Sequence, residues 1–254
     1  MKLNTLRADP AGNITLFVLD PVPPGDRAGL AARLMALPGT DTEQVGYVCP
    51  PVMGGAGRLE MAGGEFCGNA ARAFGMLTAQ RLGGASQVRV EVSGCEGPVT
   101  VEVDWSNRTA RAEMPLPRSV RRMESHPGIL VDLGGIAHLV VEDVPPSREF
   151  FDRVEPLLRD IPGLEAYGVI FLEGETMTPL VKVPAAGTLV WEGSCGSGSL
   201  AAAVAQSRDD GPFVRKYVQP AGTVEASVTR RNGKIVSAWI GGPVNLDPPC
   251  EIEI

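Results

Sequence analysis

The chain contains few of the residues that several common functions require. Its formal net charge is −7, aromatic residues make up 5% of it, and it has two histidines. A negative charge without a basic stripe argues against nucleic acid as a partner. No apolar run approaches the ~18 residues of a membrane-spanning helix, and the N-terminus lacks the apolar segment of a signal peptide. The sequence therefore predicts a soluble, cytoplasmic protein that binds neither nucleic acid nor a membrane.

Metal and cofactor sites also lack their usual ligands. The five cysteines form no C-x-x-C pair, and only His126 and His138 could join them, so no zinc site is expected. The odd number of cysteines and the missing export signal argue against a disulfide framework. None of the four lysines lies in the glycine- or serine-rich cradle that pyridoxal phosphate would need. We therefore expect a protein without a metal and without a cofactor.

Two cysteines, in contrast, stand in near-matching segments about half the chain apart. Cys67 lies in GGEFCGNAAR (63–72) and Cys195 lies in WEGSCGSGSL (191–200). Each is followed by glycine, a small polar residue and an alanine-rich run that is typical of a helix. A helix N-terminus presents free N–H groups and a partial positive charge, which stabilise a thiolate. One such thiol in each half predicts a two-base site, which removes a proton from one face of a carbon and returns one to the other.

The cysteine segments belong to a longer internal repeat. Residues 11–20 (AGNITLFVLD) resemble residues 134–143 (GGIAHLVVED), and the hairpin-like segment 99–114 resembles the segment 223–240. Each half therefore has a strand, a cysteine segment and a hairpin in the same order. Helical periodicity predicts helices over residues 26–36, 68–82, 147–159 and 196–206.

These patterns predict an α+β fold of two lobes. Residues 1–118 form the N-terminal lobe with Cys67, and residues 119–254 form the C-terminal lobe with Cys195. Each lobe is expected to have a central helix wrapped by a mostly antiparallel sheet. The C-terminal strand is a candidate for crossing back to the first lobe.

The cysteine segments resemble the paired motifs of the diaminopimelate epimerase superfamily of cofactor-independent racemases. Further segments resemble its histidine racemase branch, which serves the biosynthesis of opine-type metallophores of the staphylopine kind: PAGN (10–13), EQVGY (43–47), VSGC (92–95) and QPAGT (219–223). Diaminopimelate epimerase itself has a Glu-Arg-Gly segment before its second cysteine. Residues 184–188 (PAAGT) contain neither the acid nor the arginine, which makes diaminopimelate a poor fit.

The resemblance covers the whole chain and carries implications for fold and activity. It implies two pseudo-symmetric lobes of the diaminopimelate epimerase-like fold, with the active site in the cleft between them. It also implies a homodimer that acts on a small amino acid without pyridoxal phosphate. The branch implies interconversion of L- and D-histidine, which would supply D-histidine for an opine-type metallophore.

In such a reaction Cys67 and Cys195 are the expected catalytic residues, one as thiolate and one as thiol in each direction. Backbone N–H groups at the two helix starts are expected to bind the substrate carboxylate and to stabilise the charge that develops on it. These substrate-binding groups belong to Gly68, Asn69, Gly196 and Ser197.

Other candidates also have structural interpretations. Asn13 matches a substrate-contacting asparagine of the superfamily, although turns also favour asparagine. Glu43 could accept a hydrogen bond from an imidazole N–H, and Glu192 could bind the substrate ammonium or tune its thiol. A solvated loop position explains both carboxylates equally well, and the same holds for Glu65. His138 could assist at the site or be a core histidine.

Several alternatives remain open. Diaminopimelate epimerase, or a racemase of another amino acid, would use the same thiol pair. An isomerase of the phenazine-pathway type lacks paired cysteines, which argues against it. A protein of a different class, a non-catalytic redox sensor or metal buffer, would use the two cysteines for a reversible disulfide. Serine substitution of either cysteine should abolish proton exchange only if the protein is a racemase.

Overall fold

The computed structural model describes residues 1–124, 126–184 and 187–254. They form two compact units, residues 1–113 with 241–254 and residues 114–240. The expected lobes, 1–118 and 119–254, differ from these units mainly at the C-terminus, where residues 241–254 belong to the first unit. Residues 185 and 186 of the PAAGT segment lie outside the described residues.

The C-terminus joins the first unit because it extends that unit's sheet. Strand β1 (Lys2–Asp9) pairs antiparallel with β17 (Asn245–Leu246) and β18 (Cys250–Glu253), with Leu3 opposite Ile252. Ile252 thereby packs against the apolar cluster around Leu3 and Leu16. This burial of apolar surface favours the return of the chain.

The first unit is a mixed sheet with two helices. Its other strands are β2 (Thr15–Val18), β3 (Gln44–Cys49), β4 (Arg58–Met61), β5 (Gln87–Val92), β6 (Val99–Asp104) and β7 (Thr109–Glu113). Neighbours pair antiparallel except β2 with β3 and β4 with β5, which are parallel. The helices are α1 (Pro24–Met35) and α2 (Gly68–Arg81).

The second unit has the same order of pairings. Its strands are β8 (Ser119–Arg122), β9 (Ile129–Asp132), β10 (Ile136–Glu142), β11 (Ala166–Glu173), β12 (Thr176–Val183), β13 (Thr188–Trp191), β14 (Gly211–Val218), β15 (Thr223–Arg231) and β16 (Lys234–Pro243), the last ending in the first unit. From β9 to β15 the pairs are antiparallel, except β10 with β11 and β12 with β14. Strand β13 lies outside this repeat and pairs antiparallel with β12 on the edge opposite β11. The helices are α3 (Arg148–Arg159) and α4 (Gly196–Gln206).

The helices that follow the two cysteines are the most buried helices of their units. Helix α2 is buried from Gly68 to Ala79 and contacts β5, β6 and β7. Helix α4 is buried over most of its length and contacts β9, β10, β14 and β15. Small residues in both helices allow the sheet to approach closely from several sides. The α+β class and the four expected helices are therefore confirmed, and each cysteine stands at the start of a buried helix.

Among the described residues, no helix has the length and apolar character needed to span a membrane.

Candidate active site

Cys67 caps the N-terminus of α2. It has an extended backbone, and its Sγ accepts a hydrogen bond from the N–H of Ala70 at 3.4 Å. The first intrahelical bond runs from the N–H of Ala71 to the carbonyl of Cys67. The N–H groups of Gly68 and Asn69 precede that bond, so they have no acceptor within the helix. The expected position of this thiol at a helix start is confirmed.

Amide side chains surround the Cys67 thiol. The Nε2 of Gln44 lies 3.4 Å from Cys67 Sγ and donates to Asn13 Oδ1 and Thr15 Oγ1, both at 2.8 Å. Asn69 Nδ2 also donates to Asn13 Oδ1, at 3.3 Å, and this oxygen lies 3.9 Å from Cys67 Sγ. Asn13 is thus fixed next to the thiol by two amide donors. Gln44 is the residue of this group that we did not single out from the sequence.

A buried guanidinium supports this network from inside the unit. Arg72 is 0% exposed. Its Nε donates to Asn69 Oδ1 at 3.2 Å, and its terminal nitrogens donate to the carbonyls of Pro243 and Pro10 at 2.8 Å each. Burial lowers the pKa of Arg72 to about 10. The side chain of Asn69 is therefore occupied on both ends, and its backbone N–H acts on the Cys67 thiol, whose pKa it lowers.

Glu43 lies at the exposed edge of the same network. Its Oε2 accepts a hydrogen bond from Asn13 Nδ2 at 2.8 Å. Partial burial raises the pKa of the Glu43 carboxyl, although the Asn13 donor acts in the opposite direction. The structure therefore brings Asn13, Glu43, Cys67, Gly68 and Asn69 together in the first unit.

Cys195 caps α4 in the same way. Its Sγ accepts from the N–H of Gly198 at 3.3 Å, and its own N–H donates to Gln219 Oε1 at 2.7 Å. Gln219 Nε2 donates to Ser199 Oγ, which in turn donates to the carbonyl of Cys195 at 2.8 Å. Gln219 belongs to the QPAGT segment, but its contact with Cys195 could not be read from the sequence. The expected position of this thiol is also confirmed.

The side chain of Ser197 connects Cys195 to His138. Ser197 Oγ lies 3.5 Å from Cys195 Sγ and 2.9 Å from His138 Nε2. His138 is 0% exposed, and burial lowers the pKa of its imidazole to about 3, so the ring is neutral. His138 is thus a core histidine that also reaches the thiol's hydrogen-bond network. The structure brings together Cys195, Gly196 and Ser197, with Glu192 close to the thiol.

The surroundings raise the pKa of both thiols. Burial is the main cause for Cys67, although part of its surface is accessible, and the N–H of Ala70 and the amide of Gln44 act against it. For Cys195 burial is again the main cause, and the carboxylate of Glu192 adds to it, so its pKa lies well above the usual value. We expected the helix starts to lower both pKa values. The N–H groups do act in that direction, but burial outweighs them.

The remaining cysteines do not join either site. Cys95 is half-buried, and burial raises its pKa to about 11. Cys49 accepts a hydrogen bond from Arg27, and Cys250 is exposed on the edge strand β18. Within residues 1–124, 126–184 and 187–254, no three His, Cys, Asp or Glu side chains are grouped so that they could hold a metal ion.

Comparison with known proteins identifies the family. A family model described as "Histidine racemase CntK N-terminal domain" matches residues 2–248. The chain belongs to the histidine racemase family. It is therefore an isomerase, of the amino-acid racemase type, and the resemblance noted from the sequence is confirmed.

Individual relatives agree with this assignment. A histidine racemase of Fusobacterium nucleatum is 29% identical over 260 residues, which cover 96% of this chain and 94% of that protein. A histidine racemase of Staphylococcus aureus is 25% identical over 85% of each chain. Among solved structures, a predicted epimerase from Pseudomonas aeruginosa has a TM-score of 0.67 at 14% identity, covering 98% of this chain and 99% of that one. That last similarity shows a shared fold alone.

Proposed function

We propose that the protein interconverts L- and D-histidine without a cofactor, using Cys67 and Cys195 as its two bases. The observation that carries this proposal is the matched placement of two free thiols. Each is the N-cap of the most buried helix of its unit, and each Sγ accepts a backbone N–H. The proposal requires the two units to be duplicated, pseudo-symmetric lobes of the diaminopimelate epimerase type. In it, both thiols act on one substrate in the cleft between the lobes.

The proton balance of the reaction needs one thiolate and one thiol. The thiolate removes the Cα proton from one face, and the opposite thiol donates its proton to the other face. The enzyme then holds the thiolate on the other cysteine, and the reverse reaction uses the pair in exchanged roles. Proton exchange with solvent restores the starting form.

The raised thiol pKa values fit this role. An amino-acid Cα–H is a very weak acid, so a more basic thiolate removes its proton with less unfavourable free energy. The same shift lowers the thiolate fraction at neutral pH, which makes the rate rise toward alkaline pH. As the proton leaves, charge moves into the substrate carboxylate. The N–H groups at the starts of α2 and α4 then stabilise the transition state more than the bound substrate.

Histidine as the substrate is supported by family membership and by Glu43. This carboxylate lies at the exposed edge of the Cys67 network and is held by Asn13. From there it can accept a hydrogen bond from an imidazole N–H, while Glu192 can receive the ammonium group beside Cys195. D-Histidine formed in this way would supply an opine-type metallophore. The superfamily resemblance also implies that the enzyme acts as a homodimer. Its substrate is the free amino acid, so the reaction needs no further partner.

The test is the formation of D-histidine from L-histidine by reduced protein without added cofactor, followed by chiral chromatography. We expect racemisation in the wild type and its loss in the Cys67→Ser and Cys195→Ser variants. Cys95→Ser is the matched control, because Cys95 is a free cysteine of the same protein outside both sites, and it should retain the wild-type rate.

Other outcomes separate the alternatives. Racemisation of another amino acid, or epimerisation of LL-diaminopimelate, would keep the thiol mechanism and refute the substrate. Absence of turnover with a panel of amino acids, together with a reversible Cys67–Cys195 disulfide, would favour the non-catalytic redox protein.

A further inference from the structure

The second unit contains an unusual pair of unsatisfied groups beside the catalytic thiol. Within the described residues, the buried side-chain nitrogen and oxygen atoms without a hydrogen-bond partner are His138 Nδ1 and Ser194 Oγ. Ser194 immediately precedes Cys195, and His138 contacts Ser197. Buried polar atoms without partners are rare in native proteins, so each of these two atoms calls for an explanation.

The packing of His138 explains why its Nδ1 has no partner. His138 lies on β10 directly opposite Gly168 of β11. A Cβ on Gly168 would lie 3.2 Å from His138 Nδ1 and 2.6 Å from the carbonyl of Leu180. The Nδ1 edge of the ring therefore packs against a glycine that has no room for a side chain. The neutral ring must place its single proton on either this edge or the Nε2 edge.

The two tautomers have different consequences for Cys195. A proton on Nδ1 would leave a buried N–H without an acceptor, which is rarer than an unpaired acceptor. A proton on Nε2 instead donates to Ser197 Oγ at 2.9 Å. The hydroxyl of Ser197 then keeps its own proton for its other neighbour, Cys195 Sγ, at 3.5 Å. His138 thereby fixes the direction of a two-step hydrogen-bond chain that ends on the sulfur.

We propose that Ser197 is a positioning residue that donates a hydrogen bond to the Cys195 thiolate, and that His138 orients it through its Nε2–H. Ser197 and the N–H of Gly198 together give the thiolate two donors. They oppose the burial and the nearby Glu192 carboxylate, which both favour the protonated thiol. His138 serves here as a fixed donor and takes up no proton.

The first unit lacks this device. In the repeat, Thr15 occupies the position of His138. Asn69 stands two residues after Cys67, just as Ser197 stands two residues after Cys195. Thr15 pairs with Gln44 as His138 pairs with Gly168, and the Gln44 side chain fills the space near the thiol. The two thiols are thus tuned by different groups, amides for Cys67 and a histidine–serine pair for Cys195. This difference gives each catalytic base its own set of donors.

The tautomer can be measured directly, because the protein has two histidines. In protein labelled with ¹⁵N-histidine, NMR spectra that correlate ring nitrogens with ring protons distinguish the two neutral tautomers. His138→Gln assigns the signals, and His126 serves as the internal reference. We expect His138 to be neutral with its proton on Nε2. A proton on Nδ1, or a charged ring at neutral pH, would overturn the proposal.

The effect on the thiol is measured by alkylation. At fixed pH, iodoacetamide reacts with the thiolate, and mass spectrometry gives separate rates for Cys195 and Cys67. We expect Ser197→Ala to slow alkylation of Cys195 about tenfold, since a hydrogen bond to a charged group corresponds to about one pKa unit. Ser197→Thr keeps the hydroxyl and should restore the rate, while the rate at Cys67 should not change. Equal Cys195 rates in Ser197→Ala and the wild type would overturn the proposal.

The catalytic meaning of this inference rests on the proposed function, but its two measurements do not. If the tautomer and the alkylation rates are as expected and no amino acid is racemised, the proposed function is refuted while the inference about Ser197 and His138 stands. If histidine is racemised and His138 carries its proton on Nδ1, the inference fails alone.

Discussion

Helix α2 approaches the sheet so closely that one methyl group should disturb it. A Cβ on Gly75 would lie 2.4 Å from Val101 Cγ1 on β6, whereas ordinary contacts begin near 3.4 Å. The Gly75→Ala substitution therefore forces the helix and the strand apart by about 1 Å. Such overpacking costs about 1–3 kcal/mol, and the higher helix propensity of alanine returns about 1 kcal/mol.

The expected net loss is therefore at most about 2 kcal/mol, which lowers the Tm by up to about 6 °C in a chain of this size. Gly29→Ala is the matched control, because this position in α1 has no atom within 4 Å of the added methyl group. There the substitution should raise the Tm by about 2 °C, since only the helix propensity changes. Both changes are read from thermal unfolding followed by circular dichroism.

The cause is tested with a double-mutant cycle. Val101→Gly removes the Cβ and both γ-methyl groups that the methyl group added at position 75 would meet. The double variant should therefore lose about 1–2 kcal/mol less than the sum of the two single variants. Because Cys67 lies at the start of the displaced helix, kcat of Gly75→Ala should fall by up to about 100-fold. Strictly additive effects, or a Tm of Gly75→Ala above the wild type, would refute this account of how α2 is held.

Two further substitutions test groups in the first unit. Gln44→Glu replaces a donor to Cys67 by a carboxylate, so the pKa of the thiol should rise and the rate at neutral pH should fall about tenfold or more; an unchanged pH–rate profile would contradict this role. Glu91, buried but bonded to the N–H groups of Val52, Met53 and Gly55, has its pKa lowered by these donors despite its burial. The ionised Glu91 therefore contributes its full stabilisation above the ordinary carboxyl pKa of 4.5. This stabilisation is lost as the pH falls through the lowered pKa that Glu91 has in the folded protein. Glu91→Gln should speed amide exchange at residues 52–55 at neutral pH, and wild-type protection there would argue against this role.

The sequence was sufficient to predict the elements that hold the two thiols. A cysteine before glycine, a small polar residue and an alanine-rich run produces a capped and buried helix, because small side chains allow close packing all around it. The predicted helix 68–82 agrees with α2 (Gly68–Arg81), and the helix 196–206 agrees with α4. These features depend on neighbouring residues, which a sequence displays directly.

The contacts that tune the thiols depend on residues far apart in the chain. Arg72 is fixed by the carbonyls of Pro10 and Pro243, and His138 by Ser197. An arginine near the start of an alanine-rich helix was the one available signal for the first contact. The N–H groups at the helix starts do lower the thiol pKa values, as expected, but the larger effect of burial could not be predicted because it depends on how the whole unit packs around each sulfur.

Two separate bases are the central claim, and isotope placement tests it most directly. L-Histidine is incubated with the enzyme in D₂O, and NMR and mass spectrometry follow the first few per cent of reaction on both enantiomers. With two thiols, each new D-histidine should carry deuterium at Cα, because the donating thiol has exchanged with solvent, while the remaining L-histidine keeps its proton. Protium retained in D-histidine, or deuterium entering L-histidine as fast as D-histidine forms, would indicate one base serving both faces and would contradict the account.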